Sequence, residues 1–108
     1  MPNPLFSIRE KVKIAGKEYR LLGHSRDKGR VFGDYFKEGT RYENWSGQPV
    51  IKVHRTLQTV IGTIIKNKFE ILDYVDAKAT PNAKKIDLVR YKIYSKLPTF
   101  CSWKVQKK

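Results

Sequence analysis

The chain contains 108 residues, 40% of them hydrophobic, and carries a formal net charge of +13. This length fits one small domain with a modest core and leaves too little chain for a separate cofactor domain. The two longest apolar runs, residues 60–65 and 69–75, are too short to span a bilayer, and no basic stretch followed by an apolar one opens the chain. We therefore expect a soluble, cytoplasmic protein that makes no membrane contact.

The first half of the chain is predicted to contain short strands separated by turns and loops. Residues 5–8 are expected to form a short strand or the tail of one. Apolar and polar residues alternate before a turn at Ala15-Gly16-Lys17, which predicts a hairpin over residues 11–22. Residues 23–33 contain three glycines and are interpreted as a loop. After a turn at residues 45–49, a short strand is expected to run from about Pro49 to Val53.

The second half has a stronger pattern. Thr56 is a good helix N-cap, and apolar residues follow it with helical spacing as far as about Lys66 to Asn67. A strand over residues 69–76, a turn over 77–82 and a second helix over 87–96 come next. Because Pro98 cannot continue that helix, a last strand is predicted over residues 99–105.

The side chains and glycines exclude several kinds of site. Cys101 is the only cysteine, so an intramolecular disulfide and a thiolate zinc site are impossible, and we interpret it as a small buried residue in a strand. The glycines at positions 23 and 29 are separated by five residues and followed by Arg30-Val31, which does not match a phosphate-binding Walker loop. The sequence also contains no Gly-x-Gly-x-x-Gly of the dinucleotide-binding kind.

Two features are candidates for ligand contact. His54 and Arg55 directly precede the main predicted helix, where backbone N–H groups favour anions, and a capping or surface role is the alternative. The aromatic residues between Phe32 and Trp45 lie in a stretch with no regular pattern. They could form a binding lid, a base-stacking platform or a cover for the core.

Several segments, in this order, resemble class I S-adenosylmethionine-dependent methyltransferases of the small-molecule type. Residues 53–57 (Val-His-Arg-Thr-Leu), the Ile-rich helix after them and the strand start at 69–72 (Phe-Glu-Ile-Leu) resemble the family's last large helix and the strand that follows it. Residues 35–39 (Tyr-Phe-Lys-Glu-Gly) resemble its substrate-covering insertion, and residues 94–100 resemble the start of its C-terminal strand. The family usually has Gly where this chain has Lys68.

The resemblance implies an α+β or α/β fold class, namely the C-terminal portion of a Rossmann-like doubly wound fold, with a short, mostly antiparallel sheet and one main packed helix. Residues 1–50 would be a strand tail plus the substrate-covering insertion, and residues 51–108 the helix-strand-helix-strand segment. The cofactor implied for the parent family is S-adenosylmethionine. Its glycine-rich loop and acidic ribose contact lie on strands that have no counterpart here, so we expect no cofactor binding and no activity by this chain alone.

Substrate contacts and partners follow from the same resemblance. Tyr35, Phe36, Trp45, His54 and Arg55 are the expected substrate-binding residues, with no catalytic residue or metal ligand assigned. A cut sheet exposes a strand edge, which predicts either a homodimer or a separate cofactor-binding half as partner.

The basic charge leaves another function open. Residues 81–108 contain eight Lys or Arg against one Asp. A small basic nucleic-acid-binding module is therefore the alternative function. A solvated lysine-rich surface and a surface for an acidic partner would also account for this charge.

Overall fold

The computed structural model describes residues 1–27, 29–45 and 47–108, with the backbone alone at Trp45. Within these residues, short helices and strands follow one another in this order: α1 (Pro4–Ser7), β1 (Glu10–Ile14), β2 (Lys17–Leu21), β3 (Gly23–Ser25), β4 (Arg30–Phe32), β5 (Gly39–Trp45), β6 (Gln48–His54), α2 (Leu57–Lys66), β7 (Phe69–Asp76), α3 (Ala83–Ile86), α4 (Leu88–Tyr94) and β8 (Cys101–Lys107).

The strands form two-stranded antiparallel sheets, β1–β2, β3–β4, β5–β6 and β7–β8. The fold is therefore a small mixed α/β fold with short antiparallel sheets. The doubly wound arrangement, the single main packed helix and the division at residue 50 stay predictions. The predicted hairpin over residues 11–22 is confirmed as β1–β2, and Ala15 and Gly16 make its turn with φ of 51° and 80°.

The C-terminal elements agree best with the sequence pattern. The Thr56 side chain accepts a hydrogen bond from the Thr59 backbone N–H at 3.2 Å, so Thr56 is the predicted N-cap of α2. After the helix ends, Lys68 adopts a left-handed conformation with φ of 61°, which turns the chain into β7. The predicted strand, second helix and last strand are confirmed as β7, α4 and β8, and β8 begins at Cys101, two residues later than predicted.

The N-terminal segment differs from the sequence expectation. Residues 4–7 form the short helix α1 and not a strand, because the Asn3 side chain caps it by accepting from the Leu5 N–H at 3.1 Å and Pro4 fits the first helical turn. The three residues before α1 extend along β8 instead. Met1 and Cys101 exchange backbone hydrogen bonds of 2.9 and 2.8 Å, and the Asn3 N–H donates to the Thr99 carbonyl at 2.9 Å.

The sequence patterns missed one strand pair and one further strand, whereas the short strand expected from about Pro49 to Val53 is confirmed within β6. The expected loop over residues 23–33 contains the hairpin β3–β4, whose three-residue strands are too short for alternation to be recognised. Strand β5 was also not predicted, because its residues mix Gly, Thr, Arg, Glu and Asn with two aromatics. It pairs with β6 from Gly39–His54 to Trp45–Gln48.

Burial is concentrated where the N-terminal segment meets the ends of β6 and β8. The buried residues include the apolar Pro4, Ile8 and Cys101 and the polar Asn3, His54 and Thr56. The interpretation of Cys101 as a buried strand residue is thus confirmed. In contrast, one face of β5–β6 presents Tyr42, at 81% exposure, together with Ile51 and Val53 to solvent. None of the helices described is long and apolar enough to cross a membrane.

Candidate substrate-binding site

His54 is the centre of the candidate site. It is the last residue of β6 and only 3% exposed. Its Nε2 lies 2.7 Å from the Tyr35 carbonyl oxygen, and because a carbonyl can only accept, we assign the proton to Nε2. In the neutral ring Nδ1 is then an acceptor, and it is buried without a hydrogen-bond partner among the described residues. A buried acceptor without a donor is costly, so this atom is suited to receive an O–H or N–H group.

Tyr35 joins the loop before β5 to the start of α2. Its ring meets the His54 ring edge-on at 5.5 Å between centroids. Its hydroxyl oxygen accepts a hydrogen bond of 2.7 Å from the Leu57 backbone N–H, one of the N–H groups that the helix itself cannot satisfy. Phe36 packs edge-on against Tyr35 at 5.4 Å but is 83% exposed. Its ring is therefore available to a ligand or to another part of a larger protein.

Arg55 lies on the outer side of the same helix start. Its Nε is 3.9 Å from Glu38 Oε2, and Glu38 Oε1 accepts a 2.7 Å hydrogen bond from the Thr59 hydroxyl. Arg55 and Glu38 are both partly exposed, so this ion pair contributes little stability. Arg55 Nη1 also donates to the His54 carbonyl oxygen at 3.0 Å, so the guanidinium lies beside His54.

Four of the five predicted substrate residues thus come together, whereas the backbone of Trp45 lies at the other end of the β5–β6 hairpin. Trp45 pairs with Gln48 at one end of the β5–β6 hairpin, whereas His54 pairs with Gly39 at the other. The two ends are six residue positions apart along the strand, a distance of roughly 20 Å. The side chain of Trp45 lies outside the described residues, so its predicted contact stays a prediction.

Two cavities adjoin this cluster. A cavity of about 260 Å³ is lined by His54 and Arg55 together with residues of the N-terminal segment, and a second of about 460 Å³ lies beside it. Arg41 and Lys52 line both. These two residues were not predicted, because only the pairing of β5 with β6 places Arg41, Lys52 and His54 on one face.

A polar network centred on the buried Asn3 holds the N-terminal segment beside these cavities. Asn3 Nδ2 donates to Asp76 Oδ1 at 3.0 Å, and the Tyr74 hydroxyl donates to the same oxygen at 2.6 Å. Burial, followed by this hydrogen bond to Asp76, raises the pKa of Tyr74 well above its ordinary value. The network fixes the segment that continues through Pro4, Ser7 and Ile8 into the cavity walls.

The described residues do not fit an adenosyl cofactor or a metal ion. A doubly wound fold binds an adenosyl group where parallel strands end before a glycine-rich turn and a helix N-terminus. Every strand pair described here is antiparallel, and no described group of His, Cys, Asp and Glu has the arrangement of a metal site.

Comparisons with known proteins show a fold but no family. No protein-family model matches the chain, and no curated protein matches it. A crystal structure of a proposed S-adenosylmethionine dependent methyltransferase from Listeria monocytogenes superimposes with a TM-score of 0.66 at 23% sequence identity. The match covers 99% of this chain and 44% of that chain, so this chain spans less than half the length of the protein it resembles. It therefore has the fold of part of a methyltransferase-like structure.

Proposed function

We propose that this chain is the substrate-side part of an S-adenosylmethionine-dependent methyltransferase and that it is inactive without a cofactor-binding half. The structural likeness carries the proposal, because it extends over 99% of this chain but only 44% of the other protein. The resemblance in sequence, strongest from Lys52 to Lys108, points to the same family.

The free edge of β8 is the proposed attachment point for the missing half. β8 pairs with β7 on one side, and on its other side residues 1–3 cover only its first residue and the two residues before it. From Ser102 to Lys107 this edge has no strand partner in the described part of the chain. Unpaired backbone groups invite another strand. A strand of another polypeptide could pair antiparallel with residues 102–107 of β8, on the same edge where residues 1–3 already pair with residues 99–101.

The exposed apolar face of β5–β6 supports a missing partner as well. Tyr42, Ile51 and Val53 together leave apolar surface in water that a larger protein would cover. A homodimer formed through the same β8 edge is the competing arrangement. The homodimer contains two copies of this chain, each with a charge of +13, whereas the complex with a cofactor-binding half contains one.

Tyr35, Phe36, His54 and Arg55 are the proposed substrate contacts, and Trp45 is retained as a proposal. The unpartnered His54 Nδ1 supports this assignment, because it needs a donor that the described residues do not supply. Phe36 offers an exposed ring close to it.

The test compares the chain alone with the chain co-expressed with the polypeptide encoded immediately upstream of it. Calorimetry with S-adenosylmethionine should give no tight binding to the chain alone and one-to-one binding to a complex of the two. Replacing Val105 in β8 by Pro, which removes one edge N–H, should weaken the complex, and Pro in place of the exposed Val89 in α4 is the matched control for loss of folding. Tight binding by the chain alone, or no association with any cofactor-binding polypeptide, would refute the proposal.

A small basic nucleic-acid-binding module is the second candidate. The eight Lys or Arg against one Asp in residues 81–108 favour it. Retention on immobilised DNA that weakens steeply with salt, without any heat on addition of S-adenosylmethionine, would favour this module over the methyltransferase.

A further inference from the structure

The cavity of about 460 Å³ beside the His54 site, here named the arginine cleft, is rich in cationic side chains. Its walls include the cationic residues Arg9, Lys11, Lys37, Arg41 and Lys52, and the acidic residues Glu10, Asp34 and Glu43. The cleft therefore has an excess of positive charge in a partly enclosed space. Such a space strengthens the attraction of an anion compared with open solvent.

Two of the three carboxylates in the cleft are already paired with cations, one of which, Lys52, belongs to the cleft itself. Glu10 is paired with Arg30 at 2.6 Å, and Arg30 does not line the cleft. Glu43 is paired with both Arg20 and Lys52. Most of the negative charge of the cleft is thus engaged.

Arg9 and Arg41 are held in place without a carboxylate. Arg9 Nε donates to the Phe6 carbonyl at 3.2 Å, and its guanidinium lies 3.7 Å from the centre of the Phe6 ring. Arg41 Nη2 donates to the carbonyls of Asp34 and Lys37, each at 2.6 Å. Neither arginine forms an ion pair within the described ranges.

Both guanidinium groups keep donors for a ligand. A guanidinium has five N–H groups in a rigid fork, and these contacts leave both terminal nitrogens of Arg9 and the Nη1 of Arg41 without an acceptor among the described residues. Burial, and then the charge of Arg20, lower the pKa of Arg9, because both disfavour a second positive charge at this position. A fixed, partly buried pair of arginines is well suited to a planar or tetrahedral anion.

We propose that the arginine cleft binds the carboxylate or phosphate group of a small anionic ligand, with Arg9 and Arg41 as its charged contacts. This inference rests on the proposed function, because Arg41 and Lys52 also line the cavity that contains His54, so one ligand could reach both. It gives the substrate a chemical class, a small anion with an O–H or N–H group. Nucleic acid fits less well, because these arginines lie in a cleft and outside the basic C-terminal stretch.

The test measures binding of inorganic phosphate and of acetate to the ¹⁵N-arginine-labelled 108-residue chain at constant ionic strength. Nε–H resonances of Arg9 and Arg41 should shift and saturate. Arg9→Gln and Arg41→Gln should each weaken phosphate binding about tenfold, as expected for loss of one charged hydrogen-bonding partner. Arg90→Gln removes the same charge from an exposed position on α4, where Arg90 pairs with Asp87, and should leave the affinity unchanged.

The outcomes distinguish a specific anion site from binding by net charge and from binding of nucleic acid. An equal loss in all three variants would assign binding to net charge and overturn the inference. Tighter binding of an eight-nucleotide thymidine strand than of phosphate, lost equally in Arg90→Gln, would overturn it in favour of nucleic acid. Arg41→Lys, which keeps the charge, should bind phosphate better than Arg41→Gln and remains decisive if Arg9→Gln fails to fold. Because the assay contains neither S-adenosylmethionine nor a second polypeptide, its failure is distinct from failure of the proposed function.

Discussion

Replacing Lys68 by Gly is expected to stabilise the chain. Lys68 has a φ of 61°, and its backbone is fixed by a 3.0 Å hydrogen bond from its N–H to the Ile65 carbonyl and a 2.9 Å bond from the Lys108 N–H to its own carbonyl. A left-handed conformation costs a non-glycine residue about 1–2 kcal/mol. Glycine avoids this cost but gains about 0.4–1 kcal/mol of conformational freedom in the unfolded chain. The difference predicts a stabilisation of about 0.5–1 kcal/mol.

Urea unfolding followed by far-ultraviolet circular dichroism measures this effect. A gain of that size should raise the midpoint of thermal unfolding by about 2–6 °C in a domain of this length. Lys66→Gly is the matched control, because Lys66 is the last residue of α2 and glycine there should cost up to about 1 kcal/mol. If Lys68→Gly is neutral, or destabilises the chain as Lys66→Gly does, the argument from backbone strain is wrong.

Three further predictions concern buried polar and close contacts. Asn3→Ala removes a helix cap and a hydrogen bond to a carboxylate and should lower the free energy of unfolding in urea by about 2–3 kcal/mol, whereas Asn82→Ala, at a cap position with no side-chain bond, should change it by less than about 0.5 kcal/mol. Gly33→Ala should cost at least about 2 kcal/mol in the same assay, because an added Cβ would lie 2.7 Å from the Ile8 carbonyl oxygen at a φ of 71°. Because its pKa is raised in the fold, Tyr74 holds its proton more tightly in the folded state than in the unfolded chain. Its contribution to stability is therefore complete below the ordinary tyrosine pKa of about 10 and is lost as the pH rises towards the higher folded-state value. Urea unfolding between pH 8 and 11 should therefore show a smaller alkaline loss in Tyr74→Phe, and an unchanged loss would contradict the assignment.

The C-terminal half could be predicted because its pattern is strong and local. Helix α2 has an N-cap and a continuous apolar stripe, and β7 follows after one residue in the left-handed conformation. Lys68 thus stands at a position where the backbone favours glycine, the residue usual there in the methyltransferases that the sequence resembles. Strands β3, β4 and β5 carry no comparable stripe, because two-stranded ribbons with both faces partly in water require little apolar alternation.

The site was only partly predictable for the same reason. His54 and Arg55 stand directly before a recognisable helix, so their place was inferred from local sequence. Arg9 and Arg41 reach the cleft through the pairing of segments distant in sequence, which no local pattern encodes. The Tyr35 contacts with His54 and Leu57 likewise depend on how a loop folds back on α2.

The hydrogen bonds between Met1 and Cys101 determine how this protein can be handled at the bench. An affinity tag joined to the N-terminus would extend from Met1 along the free edge of β8. It could pair with residues 102–107, which form the surface proposed for the partner. A tag on Lys108 starts beside Lys68, at the opposite end of the same ribbon. Pull-down and size-exclusion experiments should therefore use C-terminal tags, since N-terminal ones would compete for the surface under test.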